Sequence, residues 1–317
     1  MTATEHHITF GPVPSRRLGR SLGINNVTAK TCSYACVYCQ AGPTTEHCIE
    51  PRRFFSPAEI HAAVSARLAR IRADGQGVDY LSFVPDGEPT LDSRLGETIT
   101  ALHELGIPVA VLTNASLLSH PEVRARLAAA DLVSVKVDSA EEHAWRHINR
   151  PHHALQLDRV LQGVRDFAAG YTGTLLTETM LVAGINDGES GLAATADFIA
   201  GIAPQSAWLG IPVRPPTVAG VHGPDAAGLL QAHAIYAARL PAVELLTGYE
   251  PGTFAHSGDA RTDLLAITAV HPMREADVRR LLAADHADWT LVESLLAEGA
   301  LRVVDHAGQR FYLHPAR

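Results

Sequence analysis

Long apolar runs are missing from this chain. No stretch approaches the roughly 18 to 20 consecutive apolar residues that a membrane-spanning helix needs, and the opening MTATEHHITFG lacks a signal-peptide core. Neither a membrane span nor a secretory leader is expected. Cysteine is sparse: of four in 317 residues, three sit together, which excludes a disulfide framework and fits a reducing cytoplasm. Lysine is nearly absent, since 24 of the 26 basic residues are Arg and only Lys30 and Lys136 remain. Genome composition accounts for that bias, but not for where the two lysines fall: one is beside the cysteines and one is in a probable site strand. Positive charge is also short. A net charge of −8 argues against broad nucleic-acid binding.

What the chain does have is Cys32, Cys36 and Cys39 in a CxxxCxxC run. An odd thiol set cannot pair off into disulfides. Three thiolates can grip three corners of a cubane iron–sulfur cluster, leaving one iron open to a substrate. The same cysteines with His47 or Cys48 would make a zinc site, although zinc motifs more often join two CxxC halves and no second half occurs. Around the cysteines, Arg16, Arg17, Arg20, Lys30, Arg52 and Arg53 face only Glu46 and Glu50. This locally basic region suits an anionic substrate or an acidic electron donor such as a flavodoxin or ferredoxin, or is simply a solvated set of arginines.

Downstream, helical and apolar segments alternate to about Pro241, the pattern of a parallel sheet with crossover helices. Ser56-Pro-Ala-Glu59 and Ser119-His-Pro-Glu122 read as capping boxes. Strands are expected around Ser21–Asn25, Val78–Val84, Pro108–Thr113, Leu132–Val137, Leu175–Val182 and Trp208–Val213. About six βα units result, which fit either a half-open barrel or a doubly wound sheet. Residues 1–246 form this unit, 247–262 read as a Gly- and Pro-rich linker, and 263–317 read as helix, helix and β-hairpin, a winged-helix-like appendage. Between Asp263 and Arg317 eight acidic side chains outnumber six basic ones, so DNA binding is not expected there.

Polar residues cluster at the expected strand ends. Asp86-Gly87-Glu88-Pro89 follows the second strand, where α/β folds place ligands; the glycine permits close backbone approach and the carboxylate can bind an ammonium group. Asn114 ends the third strand, Lys136 and Asp138 the fourth, and Arg214 follows the sixth, placed to face a substrate. A buried lysine needs a partner, so Lys136 and Asp138 are expected to face the mouth or each other. Glu178 poses the same question on the fifth strand. The histidine-rich stretch Arg146–His153 lacks a metal-ligand pattern and reads as a loop at the mouth; Cys48 reads as inert.

The cysteine spacing, with Tyr38 before the last ligand, resembles the signature of the radical S-adenosylmethionine (SAM) superfamily. That resemblance implies a half-open (β/α)6 barrel, a 4Fe–4S cluster on the three cysteines, and SAM chelated to the open iron. It implies one-electron cleavage of SAM to a 5′-deoxyadenosyl radical, with Tyr38 near the adenine and the Gly87–Glu88–Pro89 element holding SAM's amino group. Asn114, Lys136, Asp138 and Glu178 occupy positions at which members contact SAM. Phe10–Gly23, Asp86–Leu91, Ile148–Pro151, Met180–Val182 and Pro212–Pro216 resemble a subgroup of iron–sulfur oxidoreductases related to wyosine-base synthases of tRNA modification. In those synthases a lysine is proposed to hold pyruvate, which makes Lys30 a candidate catalytic residue beside Lys136 and Arg214. Substrate class stays open among a tRNA base, a peptide and a small molecule. A non-catalytic iron–sulfur or zinc winged-helix regulator is the alternative of a different class.

Overall fold

The computed structural model describes residues 8–247, 258–270, 272–306 and 308–315. An N-terminal hairpin, β1 (Thr9–Ser15) and β2 (Gly19–Ile24), opens the main sheet. Two short strands of the cysteine loop follow, β3 (Thr31–Cys32) and β4 (Glu46–His47). The chain then alternates α1 (Pro57–Ala73), β5 (Tyr80–Phe83), α2 (Leu95–His103), β6 (Val109–Thr113), α3 (Pro121–Leu127) and β7 (Leu132–Lys136). After two helices, α4 (Glu142–Asn149) and α5 (Leu157–Gly170), come β8 (Thr174–Met180), α6 (Glu189–Gly201), β9 (Ser206–Gly210), α7 (Ala226–Ala237) and β10 (Val243–Leu246).

The sheet order is β1-β2-β5-β6-β7-β8-β9-β10, parallel except for the β1–β2 pair, and it curls into a half-barrel. Sequence order along the parallel run places each crossover helix on one face, which is why the sheet is not doubly wound. Strand alternation then divides the side chains. Val133 and Val135 of β7, and Val137 just past its end, join the buried core under the helices, while Leu132 turns to the opposite face with Leu18, Ala110 and Leu176. The lumen floor is therefore apolar and polar residues line the levels above it, with Ser21 donating to Ser82 at 2.6 Å.

Local signals explain the helix starts. Ser56 caps α1 as a complete capping box: Glu59 N–H donates to its hydroxyl at 3.2 Å and Ser56 N–H to the Glu59 carboxylate at 2.7 Å. The second expected box does not form. Pro121 takes the first helical position, so His120 becomes the N-cap without a side-chain bond and Ser119 lies outside the helix. The Arg146–His153 stretch is also corrected: Arg146 to Asn149 form the last turn of α4, ending at Arg150 with φ 43°. The strand expected around Ser21–Asn25 is β2, whereas β1 and β10 were not legible as strands, β1 because its two prolines break the pattern.

The C-terminal residues form α8 (Ala260–Val270), β11 (Met273–Arg274), α9 (Glu275–Ala284), α10 (Thr290–Ala297), β12 (Arg302–His306) and β13 (Gln309–Leu313). The three strands make a sheet ordered β11-β13-β12 over their own apolar cluster, including Leu264, Ile267, Val278, Leu281, Val292, Leu295 and Tyr312. Of the expected linker, residues 248–257 lie outside the described residues, and Ala260–Thr262 form the first turn of α8. Arg67 of α1 donates to Gly11 O at 2.7 Å and pairs with Asp263 at 3.4 Å, joining α8 to the barrel. Among the described residues no helix is long and apolar enough to cross a membrane.

Candidate active site

The cysteine loop is held from three sides. Ala35 N–H and Val37 N–H donate to Asn149 O and Ile148 O at the end of α4 (3.0 and 2.9 Å), and His152 N–H donates to Ser33 O at 2.9 Å. From the segment after β9, Val218 N–H donates to Val37 O (3.0 Å) and the Thr217 hydroxyl to Cys39 O (2.6 Å). On the third side Cys48 N–H reaches Cys32 O at 3.1 Å, and Glu88 N–H donates to Thr31 O at 3.0 Å. The Ile148–Pro151 motif thus serves as a backbone clamp on the loop, a role its sequence did not announce.

Gly87 is required at this junction by contact. A Cβ there would lie 2.2 Å from Thr31 O and 2.9 Å from Val27 Cγ2. Only glycine lets the Asp86–Pro89 loop abut the cysteine loop. Pro89 begins a single 3-10 turn, Pro89–Leu91, and its carbonyl accepts from Asn26 Nδ2 at 3.0 Å. Lys30 lies on the other side of the junction, at φ 64°, with its Nζ 2.8 and 2.7 Å from the two Asp86 carboxylate oxygens.

Glu88 is 1% exposed and densely bonded. One carboxylate oxygen accepts from Thr90 N–H (3.0 Å) and from the Thr90 and Thr113 hydroxyls (2.6 Å each); the other accepts from Asn114 N–H at 2.8 Å. Burial pushes its carboxyl above the usual range despite these donors, and burial, with the Glu88 charge second, pushes up the neighbouring Cys32 thiol. A buried carboxylate so placed favours a cationic ligand.

Two asparagine amides reach the cysteine sulfurs. Asn114 Nδ2 lies 3.5 Å from Cys32 Sγ and 2.9 Å from Ser33 Oγ, and Asn149 Nδ2 lies 3.4 Å from Cys36 Sγ. Asn149 Nδ2 also donates to Asp138 at 2.6 Å, which accepts from the Tyr38 hydroxyl and from Met180 N–H at 2.8 Å. Lys136 pairs not with Asp138 but with Glu178, at 2.9 Å, and lies over the Tyr38 ring, 5.1 Å from its centroid. Arg17 pairs with the other Glu178 oxygen. Arg214 Nη1 donates to Gln40 Oε1 at 2.7 Å.

The structure therefore gathers Cys32, Cys36, Cys39, Tyr38, Glu88, Asn114, Lys136, Asp138, Glu178 and Arg214 at one mouth. Gly87, Pro89 and Lys30 sit at the loop junction behind it. Sequence reasoning gave Asn149 no role, placed Arg17 only in the basic region around the cysteines, and missed Gln40. The first two stand inside the quoted Ile148–Pro151 and Phe10–Gly23 stretches, but contacts between distant strands give their roles.

The residues fit a cluster and a polar ligand. The three thiols are not in disulfides and are partly exposed, and burial pushes Cys36 up to about 12, so metal binding there must displace a proton. Amide N–H groups beside thiolate sulfurs are what iron–sulfur sites use to tune potential. Asn149 Oδ1 is buried without a hydrogen-bond partner among the described residues, although the residue is 1% exposed. A ligand hydroxyl or amine would satisfy it. Among the described residues no three His, Cys, Asp or Glu side chains converge on one point, as zinc would need, and His47 Nε2 is bonded to Ser33 O at 2.9 Å.

The family model of the Radical SAM superfamily matches residues 26–199. The chain belongs to that superfamily. It is an enzyme of the class that works with a 4Fe–4S cluster and SAM and needs a reductant and a substrate. Its relatives include a UPF0026 protein of Methanocaldococcus jannaschii, 41% identical over 308 residues, covering 96% of this chain and 95% of the relative. A radical SAM methyltransferase structure from Sphaerobacter thermophilus aligns with TM-score 0.55 at 17% identity, covering 73% of this chain and 67% of that one, and so shares the fold. A structure of TYW1 with a lysine–pyruvate adduct aligns over 94% of this chain and 81% of that one, at TM-score 0.46 and 14% identity, too loosely to bear on substrate.

Proposed function

We propose that Cys32, Cys36 and Cys39 hold the cluster at the half-barrel mouth, with SAM beside it, and that the enzyme abstracts hydrogen from an organic substrate in the lumen. When bound, cluster and SAM supply a 5′-deoxyadenosyl radical by one-electron cleavage. The observation that carries this reading is the junction itself: three cysteines outside any disulfide on one clamped loop, with Asn114 and Asn149 amides at two sulfurs and buried Glu88 alongside.

Each residue then has a task. Glu88 takes SAM's ammonium group, and Asn149 Oδ1 takes a hydroxyl or amine of the same ligand. Tyr38, Ile148, Met180 and Val182 form a small buried apolar cluster that suits the adenine. Asp138 orients Tyr38 and Asn149 through hydrogen bonds. Lys136, Glu178, Arg17 and Arg214 line the way into the lumen and position the substrate's polar groups. Lys30 is assigned to structure: its Nζ is engaged by both Asp86 carboxylate oxygens at the loop junction, 2.8 and 2.7 Å away, rather than presented to the lumen.

The reductant is of flavodoxin or ferredoxin type in a reducing cytoplasm, an acidic partner suited to the basic residues around the cysteine loop. The C-terminal residues from Ala260 onward are read as a winged-helix-like unit, the 263–317 boundary expected from the sequence being moved back to the start of α8. Its helix α10 carries Glu293 and no basic residue, which disfavours DNA. Anaerobic reconstitution with iron and sulfide, followed by SAM and dithionite, should release 5′-deoxyadenosine. A fully loaded cluster that leaves SAM intact would refute the reading.

A further inference from the structure

Two cavities meet at the mouth. The lumen, about 240 Å³, is lined by residues including Arg17, Glu178, Met180 and Arg214. A larger cleft of about 910 Å³ runs from Cys39 between the 211–224 segment and strand β12, reaching Val304, His306 and Leu313. Gln40 and Ile211 line both cavities, and Gln40 is bonded to Arg214 at 2.7 Å. The Gln40–Arg214 pair therefore stands at the passage from cleft to lumen. The lumen falls below the roughly 300 to 1,000 Å³ of a small-molecule site, whereas the cleft lies within that range. The lumen holds one side chain or ring, and the body of a larger substrate must lie outside.

The geometry points to an extended polypeptide segment as the occupant of this cleft, presenting one side chain through the Gln40–Arg214 passage to the lumen. This rests on the radical SAM reading above. The lining is dominated by Pro43, Pro212, Pro215, Pro216, Pro224 and Ile211, an apolar wall that offers few side-chain hydrogen bonds. Among the described residues no Phe, Tyr or Trp lines it, which leaves single-stranded RNA only His222, His306 and Arg302 to stack on. The charged side chains of the cleft's lining, Arg302 and Asp305, balance, so it offers a polyanion no positive groove. Opposite the prolines stands β12, the edge of its sheet among the described residues. In the β12–β13 register His306 lies opposite Gln309 and Val304 opposite Phe311, so the main-chain groups of Asp305 between them turn to the open edge, where an extended peptide can pair.

The test uses the full chain with reconstituted cluster, immobilised and panned against phage-displayed random linear peptides, with unfractionated bacterial tRNA as the competing probe. The expected result is enrichment of apolar linear peptides whose binding falls at least about tenfold in Ala219→Arg, at an exposed position on the proline wall, and in Val304→Asp. Leu230→Asp, 66% exposed and outside the cleft, should bind as wild type. Circular dichroism melts separate a lost site from a lost fold. No enriched peptide, or binding indifferent to both cleft substitutions, overturns the proposal. Binding of tRNA that Ala219→Arg abolishes overturns it in favour of RNA. Measuring 5′-deoxyadenosine from the same preparation keeps the two readings apart: peptide binding without SAM cleavage refutes the radical reading alone, and cleavage without peptide binding refutes the cleft alone.

Discussion

Replacing Gly87 by alanine tests the junction between the cysteine loop and the Glu88 loop. The added Cβ would sit 2.2 Å from Thr31 O, and ordinary contact begins near 3.4 Å, so the loops must part by about 1.2 Å. Parting them stretches the 3.0 Å bond from Glu88 N–H to Thr31 O beyond hydrogen-bond range. Overpacking costs about 1–3 kcal/mol and the lost bond about 1 kcal/mol more, so Gly87→Ala should lose about 2–4 kcal/mol in urea unfolding. Glu88 is displaced by a similar distance, and misplacement of about 1 Å costs on the order of 10²-fold in rate. Release of 5′-deoxyadenosine from SAM by the reconstituted variant should fall by that factor while cluster iron content is kept. Wild-type stability and wild-type SAM cleavage in Gly87→Ala would refute the close packing of these loops as the basis of the site.

Further predictions concern the residues around that junction. Asn149→Ala removes the amide from Cys36 and a 2.6 Å bond from buried Asp138. It should cost about 1–3 kcal/mol and lower the cluster midpoint potential, read by EPR-monitored titration, because hydrogen bonds to sulfur favour the reduced state. Burial depresses the Lys136 ammonium pKa; the unfolded chain then binds more protons than the folded one between that depressed value and the ordinary one of about 10.4. Stability of the wild type relative to Lys136→Met should therefore rise with pH through that window and level off above it, measured by urea midpoints. Lys30 and Asp86, each 10% exposed, should show a double-mutant coupling of about 1–3 kcal/mol with Lys30→Met and Asp86→Asn. Borohydride with pyruvate should leave Lys30 unlabelled.

Much of this site was legible in the sequence because it lies on short stretches with fixed spacing. CxxxCxxC puts three thiols on one loop, and Asp86–Pro89 had to follow a strand. Alternation also worked: the two-residue period of Leu132, Ser134, Lys136 and Asp138 put the charged pair on the lumen face once β7 was recognised. What pattern could not supply was partnership across the barrel. Lys136 bonds Glu178 rather than Asp138 because parallel register sets Lys136 opposite Glu178 on the neighbouring strand, whereas Asp138 lies past the end of β7 and is taken by Asn149, Tyr38 and Met180 N–H. Arg17 reaches Glu178 only because an N-terminal hairpin, hidden by its prolines, starts the sheet. Asn149 looked like part of a polar loop, yet its position at the end of α4 aims the amide at Cys36.

The central claim is that the three thiols hold a cluster whose remaining position takes SAM beside Glu88. EPR of the reduced, reconstituted enzyme before and after SAM is added tests it most directly. The account predicts a cluster signal whose g-values shift with SAM, and a shift that weakens sharply in Glu88→Ala. An intact reduced cluster whose spectrum is indifferent to saturating SAM would contradict it.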